Sequence, residues 1–219
     1  MHKALILVSL TIFLSMTLAA RGFMVEDEKH GKKKDTAYYI RLFEAPDRAA
    51  WQKPDAVIKA LNLKSGQRIA DIGAGSGYFT RRFAGAVAPG GEAVGFDVDP
   101  GMIEHMKKDA AQRGIGNYRA SIISPDRPQL GKGLFDMIFI CNTYHHMDNR
   151  VAYLKRLKPA LKKNGRLVIV DYRKDSQGGP PARFKLDESA VIGEFRQAGY
   201  TLLKKHGFLP NQYMLEFSR

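Results

Sequence analysis

A single cysteine, Cys141, stands among 219 residues. That excludes an intramolecular disulfide and any multi-cysteine metal centre. Acidic residues are in deficit, with 22 Asp and Glu against 35 Lys and Arg, for a formal charge of +13. The bases are nevertheless dispersed through the helical segments, as in "LKRLKPALKK", and no basic stretch is interleaved with aromatics. This argues against nucleic acid as a partner. No internal repeat is visible, and no Gly-Lys-Ser/Thr follows a glycine-rich turn, which excludes a P-loop. What is present is ordinary for a globular domain, 44% hydrophobic and 26% charged residues, enough for one domain with an appendage.

The appendage is N-terminal. Lys3 precedes 17 residues, Ala4 to Ala20, that carry no charge. Such a segment reads as a signal peptide or a membrane anchor over residues 1–21, with Thr17-Leu18-Ala19 or Leu18-Ala19-Ala20 as an imperfect cleavage site. As a helix it would reach about 25 Å, at the short end for a bilayer crossing. Export to the periplasm or beyond, or anchoring at a membrane, is therefore expected. Arg21, Lys29, Lys32, Lys33 and Lys34 follow the run and keep a cytoplasm-facing anchor open. Residues 22–35 carry clustered charge without apolar period, a flexible linker.

From residue 36 the pattern is that of a folded domain to residue 219. Residues 36–63 predict two or three short amphipathic helices, broken before Pro46 and Pro54, as an N-terminal cap. Strand-like runs then follow at "RIADI", "AVGFD", "YRASII", "LFDMIFI" and "RLVIVD". Between most of them apolar residues recur at helical spacing: Phe79, Phe83 and Val87, then Met102, Met106 and Ala110 after an Asp99 cap, then Val151, Leu154, Leu157 and Leu161 after Asp148. Near-continuously apolar strands alternating with helices predict an α/β fold, a doubly wound and mostly parallel sheet. After the helix of Val191, Phe195 and Ala198, the runs "GYTLLKKH" and "NQYMLEFSR" have no helix between them. They predict an antiparallel C-terminal hairpin.

The first strand enters a glycine turn, Gly73, Gly75 and Gly77 in "RIADIGAGSGYFTRRF". The spacing is G-x-G-x-G, and the last place of a dinucleotide fingerprint is filled by Tyr78, too bulky for close helix–strand packing. Asp71 lies two residues before the first glycine, where it suits a cationic ligand group and would repel a pyrophosphate. Asp97 closes the second strand, 24 residues after Gly73, where an acid accepts hydrogen bonds from ribose hydroxyls.

"ADIGAGSGYFT" and "VGFDVDPGM" resemble the first two motifs of class I S-adenosylmethionine-dependent methyltransferases. "GLFDMIFICNTYHHMDN" resembles their fourth-strand motif and "LKPALKKNGRLVIVDY" their fifth-strand region. The likeness runs from about Asp55 to Arg219, and is strongest to small bacterial methyltransferases with an export-type N-terminus. It implies a Rossmann-like sheet of seven strands and S-adenosylmethionine as cofactor. On these positions, Gly73, Gly75 and Gly77 would admit the methionine and ribose parts, and Asp71 would lie near the methionine ammonium. Asp97 would hold the ribose and Val98 would pack on the adenine. The chain departs from the family after the third strand, where Ser124 and Pro125 replace a frequent acid, with Asp126 next to them.

Methyl transfer is an in-line displacement that needs positioning in a water-poor pocket, and a base only where the nucleophile must lose a proton. The expected catalytic candidates follow the fourth strand: Asn142 to orient a substrate, Tyr144 to shape the pocket or donate a hydrogen bond, and His145 as base. Adjacent histidines diverge and have no third ligand, so no metal is expected. "NTYH" lacks the paired prolines of amino-methylating nucleic-acid enzymes, and one cysteine does not suit arsenic chemistry. A small-molecule or lipid-like acceptor remains. The loop "KDSQGGPPARFKL" and the helices around Tyr38, Tyr39, Phe43 and Trp51 are expected to cover the pocket, with Trp51 equally suited to a core position. The rival expectation is an exported binding protein that retains the fold without catalysis.

Overall fold

A computed structural model describes residues 35–219. The expected signal or anchor over 1–21, and the expected linker except Asp35, lie outside the described residues. The chain opens with three short helices, α1 Thr36–Phe43, α2 Arg48–Gln52 and α3 Pro54–Leu61. Asp35 caps the first, its carboxylate accepting from the Tyr38 amide at 2.8 Å. Pro54 starts α3, where its missing N–H costs nothing.

Strands and helices then alternate. β1 Arg68–Ile72, α4 Thr80–Val87, β2 Glu92–Asp97, α5 Pro100–Gln112 and β3 Tyr118–Ile122 form the first half. β4 Phe135–Cys141, α6 Arg150–Leu157, β5 Leu161–Tyr172 and α7 Glu188–Gln197 follow, then β6 Thr201–His206 and β7 Gln212–Ser218. The sheet has seven strands in the order β3-β2-β1-β4-β5-β7-β6. β1 to β5 pair in parallel, while β7 runs antiparallel between β5 and β6. This is the Rossmann-like, mostly parallel sheet with an antiparallel C-terminal hairpin expected from the pattern.

The continuously apolar strands are explained by two buried layers. Ala70, Ile72, Ile138 and Ile140 face Leu154, Leu157, Val191 and Phe195 on one side. Ile69, Met137 and Phe139 face Phe79, Phe83, Ile103 and Met106 on the other. A strand covered on both faces has no place for a polar alternation. The edge strand β6 is largely exposed and carries Lys204 and Lys205, which blunt its open hydrogen-bonding edge.

Two boundaries differ from the sequence expectation. The helix after β4 begins at Arg150 behind Asn149, which sits at φ 47 with no side-chain cap bond, so Asp148 is not its cap. It also ends before Leu161, which starts β5. Pro159 lies in the intervening 3-10 turn, and its missing N–H stops the α-helix from continuing. Strand order reverses between β1 and β4, so the loops after these strands diverge and leave a crevice at their carboxyl ends.

Candidate active site

The crevice opens into a cavity of about 930 Å³, at the upper end of small-ligand sites. Its floor is the start of the turn after β1, where Gly73, Ala74 and Gly75 line it, while the expected cofactor residue Gly77 does not and packs against Tyr118 and Met106. Gly73, Gly75 and Gly77 have φ of 68, 54 and 79°, a region that side-chain-bearing residues rarely adopt. Space demands glycine as well. A Cβ on Gly75 would lie 2.8 Å from the Phe43 ring, and one on Gly77 would collide with the Tyr118 hydroxyl.

Two acids flank the turn. Asp97 accepts from the Gly75 amide at 2.8 Å through one oxygen and from the Asp99 amide at 3.0 Å through the other. Both oxygens keep a lone pair, and the carboxylate lines the cavity beside the exposed Val98. Burial raises its pKa, opposed by these backbone donors. Asp71 is 3% exposed and accepts from the Thr80 hydroxyl at 2.7 Å. Among the described residues no Lys, Arg or His forms an ion pair with it. Burial therefore pushes its pKa up to about 7, against the Thr80 hydrogen bond and the nearby Arg48. A buried acid with no ion-pair partner of its own fits the positive end of S-adenosylmethionine, and the glycine floor with Asp97 fits its ribose.

The wall beside this floor follows β4, where Thr143 donates to the Gly73 carbonyl at 3.2 Å. Asn142 lines the cavity at φ 55, a left-handed conformation that Asn tolerates better than most residues. His145 also lines it, and its Nδ1 meets Asp171 Oδ1 at 2.8 Å. Both side chains are 3% exposed. The carboxylate fixes Nδ1 as the protonated nitrogen, so Nε2 is the nitrogen able to accept a proton. Asp171 was not anticipated, although an acid closing the apolar run "RLVIVDY" is the same signal that marked Asp97. His146 lies against His145 with ring centroids 4.1 Å apart and planes tilted by 48°, and burial lowers its pKa.

Tyr144 is a correction. It is fully buried against α7, packs on Phe195 and donates to Glu194 at 2.7 Å. It does not line the cavity. In the 3-10 turn over Tyr144–His146 the tyrosine packs against Phe195, while both histidines line the cavity with their rings in contact rather than diverging as expected.

The cap closes the cavity from above. Tyr38, Tyr39, Phe43 and Trp51 line it, with Pro180, Pro181 and Phe184 from the loop after β5. Trp51 packs on Tyr172 with ring centroids 5.8 Å apart. Glu44 ties the cap to the floor, accepting from Ser76 at 2.6 Å and from Arg81 through both oxygens. Thr36 donates to Asp99 at 2.8 Å. Arg48, which sequence reasoning missed, lies over the Tyr78 ring at 3.9 Å and donates to the Phe43 carbonyl. Beyond β3, Pro125 and Asp126 reach the rim, where Asp126 accepts from Ser124 at 2.6 Å.

A doubly wound sheet with a β1 glycine turn, an acid closing β2 and a histidine-bearing β4 loop defines a nucleotide-cofactor α/β domain of the methyltransferase type. A family profile described as a methyltransferase domain matches residues 63–203. The chain belongs to that family, the class I S-adenosylmethionine-dependent methyltransferases, and family membership implies S-adenosylmethionine as the cofactor. A ubiquinone/menaquinone biosynthesis C-methyltransferase, UbiE, from Ectopseudomonas mendocina is 26% identical over 118 residues, 53% of this chain and 46% of the relative. The aklanonic acid methyltransferase DauC from Streptomyces sp. strain C5 is 30% identical over 105 residues, 48% of each chain. The alignments thus span about half the length of these curated relatives. A crystal structure of a SAM-dependent methyltransferase from Aquifex aeolicus superimposes with a TM-score of 0.79 at 23% identity, covering 84% of this chain and 98% of the other.

Proposed function

We propose that this protein is a methyltransferase that uses S-adenosylmethionine to methylate a small-molecule or lipid-like acceptor. The observation that carries the reading is one cavity lined by the glycine turn, Asp71, Asp97 and His145, with Asp171 hydrogen-bonded behind the histidine. When bound, the cofactor supplies an electrophilic methyl carbon whose bond to sulfur breaks as the bond to the nucleophile forms. Asp97 would hold the ribose hydroxyls, Asp71 the ammonium, and Val98 one face of the adenine. Arg48 retains guanidinium N–H groups beyond those given to Gln52 and Phe43, and is suited to the cofactor carboxylate.

His145 would take a proton from the acceptor at Nε2, with Asp171 stabilising the imidazolium that results. The aromatic cap and the proline loop would exclude water, which strengthens both interactions. The acceptor end is walled by Trp51, Tyr172, Phe184 and Pro181, so the reading favours an apolar acceptor. The names of the two relatives given above, which concern quinone biosynthesis and aklanonic acid, are in keeping with it. The apolar run over residues 4–20 supports a domain exported or held at a membrane, where a lipid-like acceptor would be at hand.

Calorimetric titration of the full chain with S-adenosylmethionine, with NADH as control, tests this. Micromolar binding of the first alone supports the assignment. Binding of neither would overturn it in favour of a protein that retains the fold without the cofactor.

A further inference from the structure

Four side chains form a hydrogen-bonded row from the cap to the end of β4. Arg48 Nε donates to Gln52 Oε1 at 2.5 Å, Gln52 Nε2 donates to Gln212 Oε1 at 3.3 Å, and Gln212 Nε2 donates to Asn142 Oδ1. Gln52 and Gln212 are buried, at 0% and 1% exposure. The row joins α2, the start of β7 and the loop after β4, which no local pattern in the sequence connects.

Its direction is set at one end. A guanidinium has donors only, so Gln52 must turn its oxygen to Arg48 and its NH₂ away. The NH₂ of Gln52 also reaches Cys141 Sγ at 3.1 Å, which accounts for both hydrogens. Gln212 then receives at its oxygen and donates from its nitrogen. Asn142 receives in turn, and its NH₂ is the half of the amide left for a ligand. A reversed row would place donor against donor at Arg48.

We propose that this row fixes Asn142 as a hydrogen-bond donor to an acceptor oxyanion, the phenolate or enolate oxygen of a flat conjugated molecule, with Gln52 and Gln212 as positioning residues. The inference deepens the methyltransferase reading and rests on it. Asn142 shares the cavity with His145 and with the paired rings of Trp51 and Tyr172. A hydroxyl on an acceptor lying along those rings gives its proton to His145 Nε2, and Asp171 holds the imidazolium. The oxygen keeps the electron pair, and an Asn142 N–H bonds to it. A donor aimed where charge develops is worth most in a water-poor site. A protonated amine acceptor would have to share the Asn142 oxygen with Gln212, whereas an oxyanion takes the amide hydrogens that the row leaves over.

The test uses the full chain saturated with S-adenosylhomocysteine and 4-nitrophenol as the probe, whose phenolate absorbs in the visible. The pH at which the bound probe ionises is read against that of the free probe. The expected shift for the native protein is downward by about one unit, a tenfold change in the ionisation equilibrium. Asn142→Asp keeps the bond from Gln212 but turns an oxygen to the cavity, so the shift should vanish or reverse. Gln212→Glu accepts only, so it should draw the Asn142 NH₂ to itself and abolish the shift from one residue further away. Both variants add a carboxylate, which alone disfavours a phenolate, so the deciding variant is Asn142→Gly, which adds no charge and suits the φ of 55°: it should lose the shift, and a shift left intact overturns the proposal. Absence of any shift in the native protein overturns it too, with no dependence on whether a variant folds. Cofactor titration in parallel separates the two readings. Cofactor binding without the shift defeats this inference alone, whereas a shift without cofactor binding keeps the oxyanion site and defeats the transferase reading.

Discussion

Asp71 makes cofactor affinity depend on pH in a direction its burial dictates. An ordinary aspartate ionises near pH 3.9, whereas burial pushes this one up to about 7. Its folded value is raised, so the folded domain binds more protons than the unfolded chain between these two pH values. Stability of the ligand-free domain should therefore fall as pH rises through that window and level off above about 7. A cationic ammonium beside the carboxylate reverses the preference, because it favours the charged form. Binding then expels the proton that free Asp71 carries below pH 7. Affinity should rise about tenfold per pH unit up to the plateau, which makes binding at pH 5.5 about thirtyfold weaker than the plateau value. Calorimetry between pH 5.5 and 7.5, in buffers of different ionisation enthalpy, reads both the slope and the released proton. Asp71→Asn should bind weakly and without this slope. A flat profile in the native protein, or an unchanged slope in the Asn variant, would refute the placement of a cation against Asp71.

Three further outcomes follow from contacts at and around the site. Asp97→Ala should weaken S-adenosylmethionine binding by about 1–3 kcal/mol, the scale of hydrogen bonds to a charged acceptor, and unchanged affinity by calorimetry would remove Asp97 from the site. Tyr144→Phe loses the bond to Glu194, which Arg150 still pairs, so thermal unfolding should show a loss of about 1 kcal/mol while cofactor affinity stays the same. A fall in affinity without a fall in stability would return Tyr144 to the cavity. Tyr118→Phe removes a buried hydroxyl that has no hydrogen-bond partner among the described residues, so stability should stay level or rise by up to about 1 kcal/mol in denaturant unfolding. A loss of that size would mean the hydroxyl has a partner.

The fold was legible in the sequence because its determinants are local or periodic. Apolar strands such as "MIFI" need cover on both faces, glycines at alternate positions mark a turn with φ above zero, and two adjacent strand-like runs without a helix can pair only antiparallel. The same local logic marked Asp71, Asp97, Asn142 and His145 as residues at strand ends. Tyr144 was misplaced because which residues of the turn meet the cavity depends on how α7 packs behind it: the tyrosine goes to Phe195 and the two histidines face the cavity. Asp171, Arg48, Gln52 and Gln212 needed the tertiary structure. Arg48 and Asn142 are 94 positions apart in the chain, and Gln212 comes between them only because β7 folds back beside β5. Sequence alone thus settled the sheet, the turn and the acids that face its carboxyl edge. Only the packing of cap, sheet and hairpin decided which polar groups meet across the cavity, because a hydrogen bond between distant segments has no spacing in the chain from which it can be read.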